Sequence, residues 1–127
     1  MRAWRWIDSS AVHAIHDRQL SEHGGLDGVR DAGAIESALA RPRNLADYGQ
    51  PDAADLAAAY SYDMVKNRGY ADGSKRTACI LARLFLLDNG VKLRFDQIEA
   101  VRAVERLAGS ELSEAEFAAW LRARVVE

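Results

Sequence analysis

Apolar side chains recur every three or four residues along most of this sequence, which is the spacing of one face of an α-helix. Helix-start residues at positions 8–10 and a helix-stop pair at Asn89-Gly90 are examples of the signals that bound these stretches. The pattern predicts six helices, over about residues 10–23, 31–41, 51–67, 75–89, 96–108 and 113–124. The second is predicted to end before Pro42, because proline disfavours helix in the residue that precedes it, and residues 41–50 are predicted to form a loop.

The fourth predicted helix carries apolar residues, such as Leu84 and Phe85, around most of its circumference. A helix of this kind is typical of the centre of a bundle, so residues 75–89 are predicted to form the central, buried helix. The last helix begins at residues 113–116, which have the sequence of a capping box. Because the composition is rich in Ala and Leu, the fold is predicted to be an all-α bundle of about six helices.

The length of 127 residues fits one domain, so residues 1–127 are predicted to form a single compact unit. The net charge of -2 provides no broad positive field, which argues against binding to nucleic acid or to an anionic membrane. No stretch approaches the roughly 18 uninterrupted apolar residues of a membrane span, and the first residues hold no apolar run of signal-peptide length. Neither export nor membrane insertion is therefore expected.

Cys79 is the only cysteine, so no internal disulfide can form, and a reducing cytoplasm fits this composition best. Cys79 is predicted to be a small core residue rather than a nucleophile, since no base is identifiable beside it. His13 and His16 lie one helical turn apart, but no nearby Cys or third histidine completes a metal site. Both histidines are predicted to be core or capping residues.

The loop between the third and fourth predicted helices carries candidate chemistry. It reads Asp72-Gly73-Ser74-Lys75-Arg76 and leads into a helix start, where unpaired backbone N–H groups and the positive end of the helix dipole favour an anion. Glycine lets a ligand approach the backbone, and the two cations add direct charge. The loop is therefore predicted to bind phosphate. The alternative is that Asp72 only caps the helix and that Lys75 and Arg76 are solvated surface charges.

Asp72 suits a second role, because a carboxylate beside bound phosphates commonly holds Mg²⁺. It is the best candidate for a metal ligand in the chain. The loop is not a Walker loop, since Gly69 lies one residue too close to Lys75 and the loop follows a helix rather than a strand.

Residues 68–78 read R-G-Y-A-D-G-S-K-R-T-A and resemble the signature loop of the Fic/Doc superfamily, H-x-F-x-D/E-G-N-K-R-T-A. Three earlier segments also resemble the Doc, or death-on-curing, branch of that family: residues 15–17 (I-H-D), 23–31 (H-G-G-L-D-G-V-R-D) and 35–42 (I-E-S-A-L-A-R-P). The resemblance covers nearly the whole chain. It implies a helical Fic fold in which Asp72 holds Mg²⁺, the backbone of Gly73 and Ser74 forms an anion hole, and Lys75 and Arg76 bind phosphate.

The resemblance also implies an activity and partners. Fic proteins usually transfer AMP from a nucleoside triphosphate to a hydroxyl on a target protein, whereas Doc proteins are kinases that phosphorylate a threonine of a translation elongation factor. Doc proteins are toxins silenced by a short antitoxin from the same operon. A Phd-like antitoxin is therefore the implied partner, and ATP or another nucleoside triphosphate is the implied ligand. Cys79 stands where adenylylating Fic loops carry a further Arg, which again indicates the Doc branch.

The main departure from the family loop is Arg68, which stands at the position of the catalytic histidine. That histidine accepts the proton of the attacking hydroxyl, whereas a guanidinium stays protonated at neutral pH and offers no acceptor. Losing a positioned general base typically costs about 10²- to 10⁴-fold in rate, so efficient family chemistry is not expected. Tyr70 in place of the family's phenylalanine and Ser74 in place of its asparagine are milder changes.

Arg68 leaves three explanations open. In the first, the chain is a natural pseudoenzyme that works by binding. In the second, Arg68 stabilises developing phosphate charge as an arginine finger does. In the third, Arg68 is a laboratory substitution that removes toxicity. The changes at Tyr70 and Ser74 favour natural drift over a single designed substitution. The sequence thus predicts a Doc-like toxin component with impaired or altered phosphotransfer. The alternative is a catalytically silent module that binds a nucleotide or a partner protein.

Overall fold

The computed structural model describes residues 3–25, 28–29, 31–67 and 73–126. Within these ranges the chain forms six helices, α1 (Ser9–His23), α2 (Ala32–Tyr48), α3 (Ala53–Asn67), α4 (Ser74–Asp88), α5 (Gln97–Ala108) and α6 (Glu114–Arg122). Two short strands, β1 (Lys92–Leu93) and β2 (Val125–Val126), pair in antiparallel fashion. The all-α class and the predicted number of helices are confirmed for the described part of the chain.

Helix α2 runs through Pro42 and reaches Tyr48, so the predicted end before Pro42 and the predicted loop over residues 41–50 are wrong. A proline inside a helix removes a backbone hydrogen bond and normally breaks or kinks the helix. Tertiary packing offsets that cost here, because Pro42 is buried and Leu45 and Ala46, in the following turn, pack against the core. Arg41 also ties this part of α2 to α3 and α6 through ion pairs.

Helix α3 occupies the centre of the bundle. Eleven of its 15 residues are buried, against six of 15 in α4. Helices α2, α4, α5 and α6 all pack against α3, and its run of small alanines lets them approach from several sides. The helix predicted at residues 75–89 is present as α4 and contributes to the core, but it keeps an exposed face.

All six helices contribute side chains to one buried cluster. Phe85 of α4 is at its aromatic centre, with ring centroids 5.9 Å from Trp4, 5.8 Å from Trp6 and 5.3 Å from Tyr60. The backbone N–H of Ile7 donates to the Tyr60 hydroxyl at 3.2 Å, which anchors the segment before α1 on α3. None of the helices in the described ranges is long and apolar enough to cross a lipid bilayer.

Candidate phosphate-binding site at the start of helix α4

The start of α4 differs from the starts of four other helices in the described chain. Side chains cap the first turns of α1, α2, α5 and α6, and the capping residues are Asp8, Asp31, Asp96 and Ser113. At α4 the cap residue is Gly73, which has a left-handed φ of 83° and offers no side chain. Among the described residues, therefore, no capping side chain competes with an anion for the first-turn N–H groups of α4.

His16 of α1 closes one side of this junction. A Cβ atom placed on Gly73 would lie only 3.2 Å from His16 Nε2 and 3.3 Å from His16 Cδ2. Both the positive φ and this close approach favour glycine at position 73. The prediction that His16 is a core or capping residue is confirmed as core, since the residue is 1% exposed. Its place beside the loop could not be inferred from local spacing, because it depends on how α1 packs against α4.

Two hydroxyl groups in the first turn of α4 are buried and have no hydrogen-bond partner among the described residues. They are Ser74 Oγ and Thr77 Oγ1. A buried hydroxyl without a partner costs about 1–3 kcal/mol, so such groups normally meet a protein atom, a water or a ligand. Ser74 occupies the position of the family's asparagine, and its hydroxyl can both donate and accept a hydrogen bond. The Ser74 hydroxyl therefore suits a phosphate oxygen at this helix start.

Lys75 and Arg76 are exposed side chains in the first turn of α4. Neither pairs with a carboxylate within the part of the chain that the structure describes. Ammonium and guanidinium groups make strong hydrogen bonds to phosphate, and here they stand at the positive end of a helix dipole. The geometry and charge of residues 73–76 thus suit a phosphate group.

Arg68 and Asp72, the two predicted catalytic positions, lie outside the described residues. The structure therefore places Gly73, Ser74, Lys75 and Arg76 at one helix start and leaves the predicted metal ligand Asp72 untested. Over the described ranges, no group of three or more His, Cys, Asp and Glu side chains is arranged to hold a metal ion. Magnesium at Asp72 stays a prediction.

Cys79 lies one turn further along α4 and is partly buried. Burial raises the pKa of its thiol, and the nearby positive charge of Arg83 only partly opposes this effect. A thiol with a raised pKa is a poor nucleophile at neutral pH. This supports the prediction that Cys79 packs the helix rather than performing chemistry.

Known proteins resemble this chain over the same helices. The sequence matches the Fic/DOC family over residues 6–86, a range that spans α1 to α3 and nearly all of α4. It is 33% identical over 119 residues to "Protein kinase doc" of Escherichia phage P1, a match that covers 93% of this chain and 94% of that protein. It is 42% identical over 76 residues to "Toxin Doc" of Mycolicibacterium smegmatis, covering 58% of each protein. The resemblance inferred from the loop is confirmed, and the chain belongs to the Fic/DOC family.

Proposed function

We propose that this chain is a Doc-like toxin component whose phosphate site lies at the start of α4. The backbone of Gly73 and Ser74 and the side chains of Lys75 and Arg76 bind the phosphates of ATP or another nucleoside triphosphate. A hydroxyl of a protein target then accepts the phosphoryl group, and Arg68 impairs or alters this reaction. The relatives named as a protein kinase and as a toxin support the assignment.

One observation carries the proposal: three features that favour an anion coincide at the start of α4. These are the absence of a side-chain cap at Gly73, the unpartnered buried hydroxyl of Ser74, and the two cations that have no carboxylate partner in the described chain. Two positive side chains at the positive end of a helix dipole repel one another and the dipole. A bound phosphate would offset that repulsion and give the Ser74 hydroxyl a hydrogen-bond partner.

Asp72 is the residue we propose for Mg²⁺, since it directly precedes the phosphate-binding residues. A hard cation bound beside the phosphates would neutralise part of their charge. This role rests on the family loop and on the carboxylate chemistry of Asp72.

Transfer of the γ-phosphoryl group requires the target hydroxyl oxygen to form a bond to phosphorus while the bond to the ADP oxygen breaks. Arg68 cannot take the hydroxyl proton, because a guanidinium has no acceptor at neutral pH. The proton passes to a phosphate oxygen or to water, and Arg68 stabilises negative charge as an arginine finger does. We expect a rate about 10²- to 10⁴-fold below that of a site with a histidine base.

The same proposal includes a Phd-like antitoxin that docks a helix in a groove near the loop, a translation elongation factor as target, and action in the cytoplasm. The names of the two Doc relatives support the toxin assignment from which these partners follow. We also propose that residues 1–127 form one domain, which the buried cluster shared by all six helices supports.

A catalytically silent binding module of the same fold is the second candidate, and Arg68 is the observation that favours it. Such a module would keep the nucleotide or partner site and transfer nothing. An experiment with two isotopic labels separates the candidates. The purified chain is incubated with Mg²⁺, a cell lysate and ATP labelled at either the α- or the γ-phosphate. Label from the γ-phosphate on one protein band supports phosphotransfer, label from the α-phosphate indicates nucleotidyl transfer, and bound but unconverted ATP supports the module.

Replacing Arg68 tests the missing base directly. If the base is the only defect, Arg68→His should raise the transfer rate by about 10²- to 10⁴-fold. The chain without the substitution is the control, assayed with the same lysate. Absence of any gain in transfer or toxicity would show that the chemistry is lost elsewhere in the chain.

Binding of ATP tests the α4 site independently of transfer. Because each charge-assisted contact to phosphate contributes about 1.5–3 kcal/mol, Lys75→Ala combined with Arg76→Ala should weaken ATP binding by about 100-fold or more. Arg102→Ala, at an exposed position on α5, is the matched control and should bind ATP normally. Calorimetric titration measures both, and equal affinity in the double variant and the control would contradict the site.

A further inference from the structure

Three cations line a groove on the exposed side of α4, and the groove has a volume of about 490 Å³. Arg83 comes from α4, Lys92 from β1, and Arg94 from the residue that follows β1. All three are exposed, and none pairs with a carboxylate within the described ranges. Since the whole chain has a net charge of -2, this concentration of positive charge is local to the groove.

Two acidic residues near the groove in sequence, Asp96 and Glu99, are engaged elsewhere. The Glu99 carboxylate lies 3.5 Å from the Arg124 guanidinium. Asp96 caps α5, where its side chain accepts a hydrogen bond from the Ile98 N–H. Among the described residues no carboxylate pairs with the three groove cations, so their charge can attract an external anion.

The groove also has an apolar floor, which Cys79, Ile80 and Phe95 help to form. The guanidinium carbon of Arg83 lies 5.5 Å from the centre of the Phe95 ring, a cation–π contact that restricts this side chain before any ligand arrives. An apolar floor under a cationic rim suits a peptide segment, because a peptide presents apolar and acidic side chains together. A small inorganic anion would use only the rim.

The groove begins at Cys79, about one helical turn along α4 from Arg76 of the proposed phosphate site. Arg76, Ile80 and Arg83 are spaced by four and three residues, so they share one face of the helix. At a rise of about 1.5 Å per residue, Arg76 and Arg83 are separated by about 10 Å along the axis. An extended peptide covers that distance in about three or four residues.

We propose that this groove binds an acidic segment of the protein that supplies the accepting hydroxyl. A glutamate or aspartate lies about three or four residues from the acceptor threonine or serine, and it pairs with Arg83, Lys92 and Arg94 while the hydroxyl faces the start of α4. The inference rests on the proposed function and adds a rule for the choice of target. Flanking negative charge selects the hydroxyl.

Peptide binding to the full chain, measured by fluorescence anisotropy without ATP, tests the proposal. Short labelled peptides carry one threonine with glutamate at that distance on either side, and matched peptides carry glutamine instead. The glutamate peptide should bind about tenfold more tightly than its glutamine match, because each lost contact between charged groups costs about 1.4 kcal/mol or more. Arg83→Glu with Arg94→Glu should lower affinity for the glutamate peptide by at least that factor. Arg102→Glu should leave it unchanged.

Arg94→Glu alone is the second variant, because Arg83 contacts Phe95 and its replacement could disturb packing. It should still weaken binding of the glutamate peptide several-fold. Equal affinity for the glutamate and glutamine peptides, or the same loss in Arg102→Glu, would overturn the proposal. So would a single-stranded oligonucleotide that displaces the peptide and requires Arg94, since that result assigns the groove to nucleic acid.

The assay also separates this inference from the proposed function. Preference for acidic peptides in a chain that transfers no label supports the groove and counts against phosphotransfer. Label transfer to target proteins without any preference for flanking acids supports phosphotransfer and overturns the groove.

Discussion

Two sets of cations in this chain have opposite surroundings. The clamp arginines, Arg41 and Arg122, join helices: Arg41 lies 3.0 Å from Asp63 of α3 and 2.8 Å from Glu114 of α6. The α4-face cations, Lys75, Arg76 and Arg83, are exposed and have no carboxylate partner in the described chain. Positively charged side chains therefore join helices in one region, and in the other they face water without a carboxylate partner among the described residues.

This difference predicts which cations contribute to the stability of the fold and which are available to bind a ligand. A cation that compensates a buried carboxylate contributes to the free energy of unfolding, because its loss leaves that carboxylate uncompensated. A cation that faces water contributes little to folding and keeps its charge available for a ligand. Substitution of a clamp arginine should lower stability and leave ATP affinity unchanged, whereas substitution of Lys75 and Arg76 should lower ATP affinity and leave stability nearly unchanged.

Arg41→Ala should have the largest effect on stability. Asp63 is buried, and its Oδ2 atom already lacks a hydrogen-bond partner among the described residues, so losing Arg41 removes the main compensation of its charge. Breaking a fully buried pair costs about 3–5 kcal/mol, and the 38% exposure of the Arg41 side chain reduces our expectation to about 2 kcal/mol. Urea unfolding at neutral pH measures this loss, and ATP affinity should be unchanged. A loss no larger than that of a surface control would contradict the clamp.

The same carboxylate should make stability depend on pH. Burial raises the pKa of Asp63 to about 6; Arg41 opposes the shift and Glu114 adds to it. Because the pKa of Asp63 in the folded chain lies above the ordinary value of 3.8, protonation of this carboxyl stabilises the fold. That stabilisation is complete below pH 3.8 and is lost as the pH rises through about 6. From pH 7 to pH 5 the chain should gain about 1 kcal/mol relative to Asp63→Asn. If the difference in free energy of unfolding between the chain and Asp63→Asn stayed constant from pH 7 to pH 5, that result would argue against the raised pKa of Asp63.

Arg122→Ala should have a smaller effect, with the opposite dependence on pH. The Arg122 side chain is 48% exposed and contacts Asp52 and Asp55 in water, so its loss should cost about 0.5–1 kcal/mol. Its hydrogen bond to Asp52 is the main reason why the pKa of that carboxyl is lowered to about 2. This contribution is therefore present at neutral pH and lost as the pH falls from about 4 towards 2. High salt screens these ion pairs and should reduce the loss of stability in Arg122→Ala. A loss that does not depend on salt would show that packing of the Arg122 side chain dominates.

Lys75→Ala combined with Arg76→Ala should have the smallest effect on stability. The two side chains face water at the positive end of α4, so their removal should change the free energy of unfolding by no more than about 0.5 kcal/mol in either direction. Thermal unfolding without nucleotide gives this value. A large loss of stability would mean that these cations hold the fold, and the contrast with the clamp arginines would fail.

Local signals in the sequence were sufficient for most helix boundaries. The Ser113 and Glu116 capping box forms as predicted, with the Ser113 N–H donating to Glu116 Oε1 at 2.9 Å and the Glu116 N–H donating to Ser113 Oγ at 3.0 Å. The same kind of reasoning failed at Pro42, where local propensity predicts a helix end. Burial of Pro42 and the ion pairs of Arg41 extend α2, and neither depends on residues nearby in sequence.

The candidate site was predictable where it depends on consecutive residues. Gly73 to Arg76 lie together because they are adjacent in the chain, and the helix that follows was evident from its spacing. The contact of His16 with Gly73 was not predictable, because α1 and α4 meet only after folding. The groove beside α4 was missed for the same reason, since Arg83 and Arg94 are brought together only when the chain turns back beside α4 after its end.

The order and spacing of residues by themselves determined the helical class and the Fic/DOC family, and they predict that the loop binds phosphate, because each of these depends on residues close together in the chain. Only the tertiary structure decided that α3 is the central helix, that α2 continues past its proline, and which cations are paired and which are not. Those properties depend on contacts between distant segments. Burial and pairing of charge are set when the helices pack together.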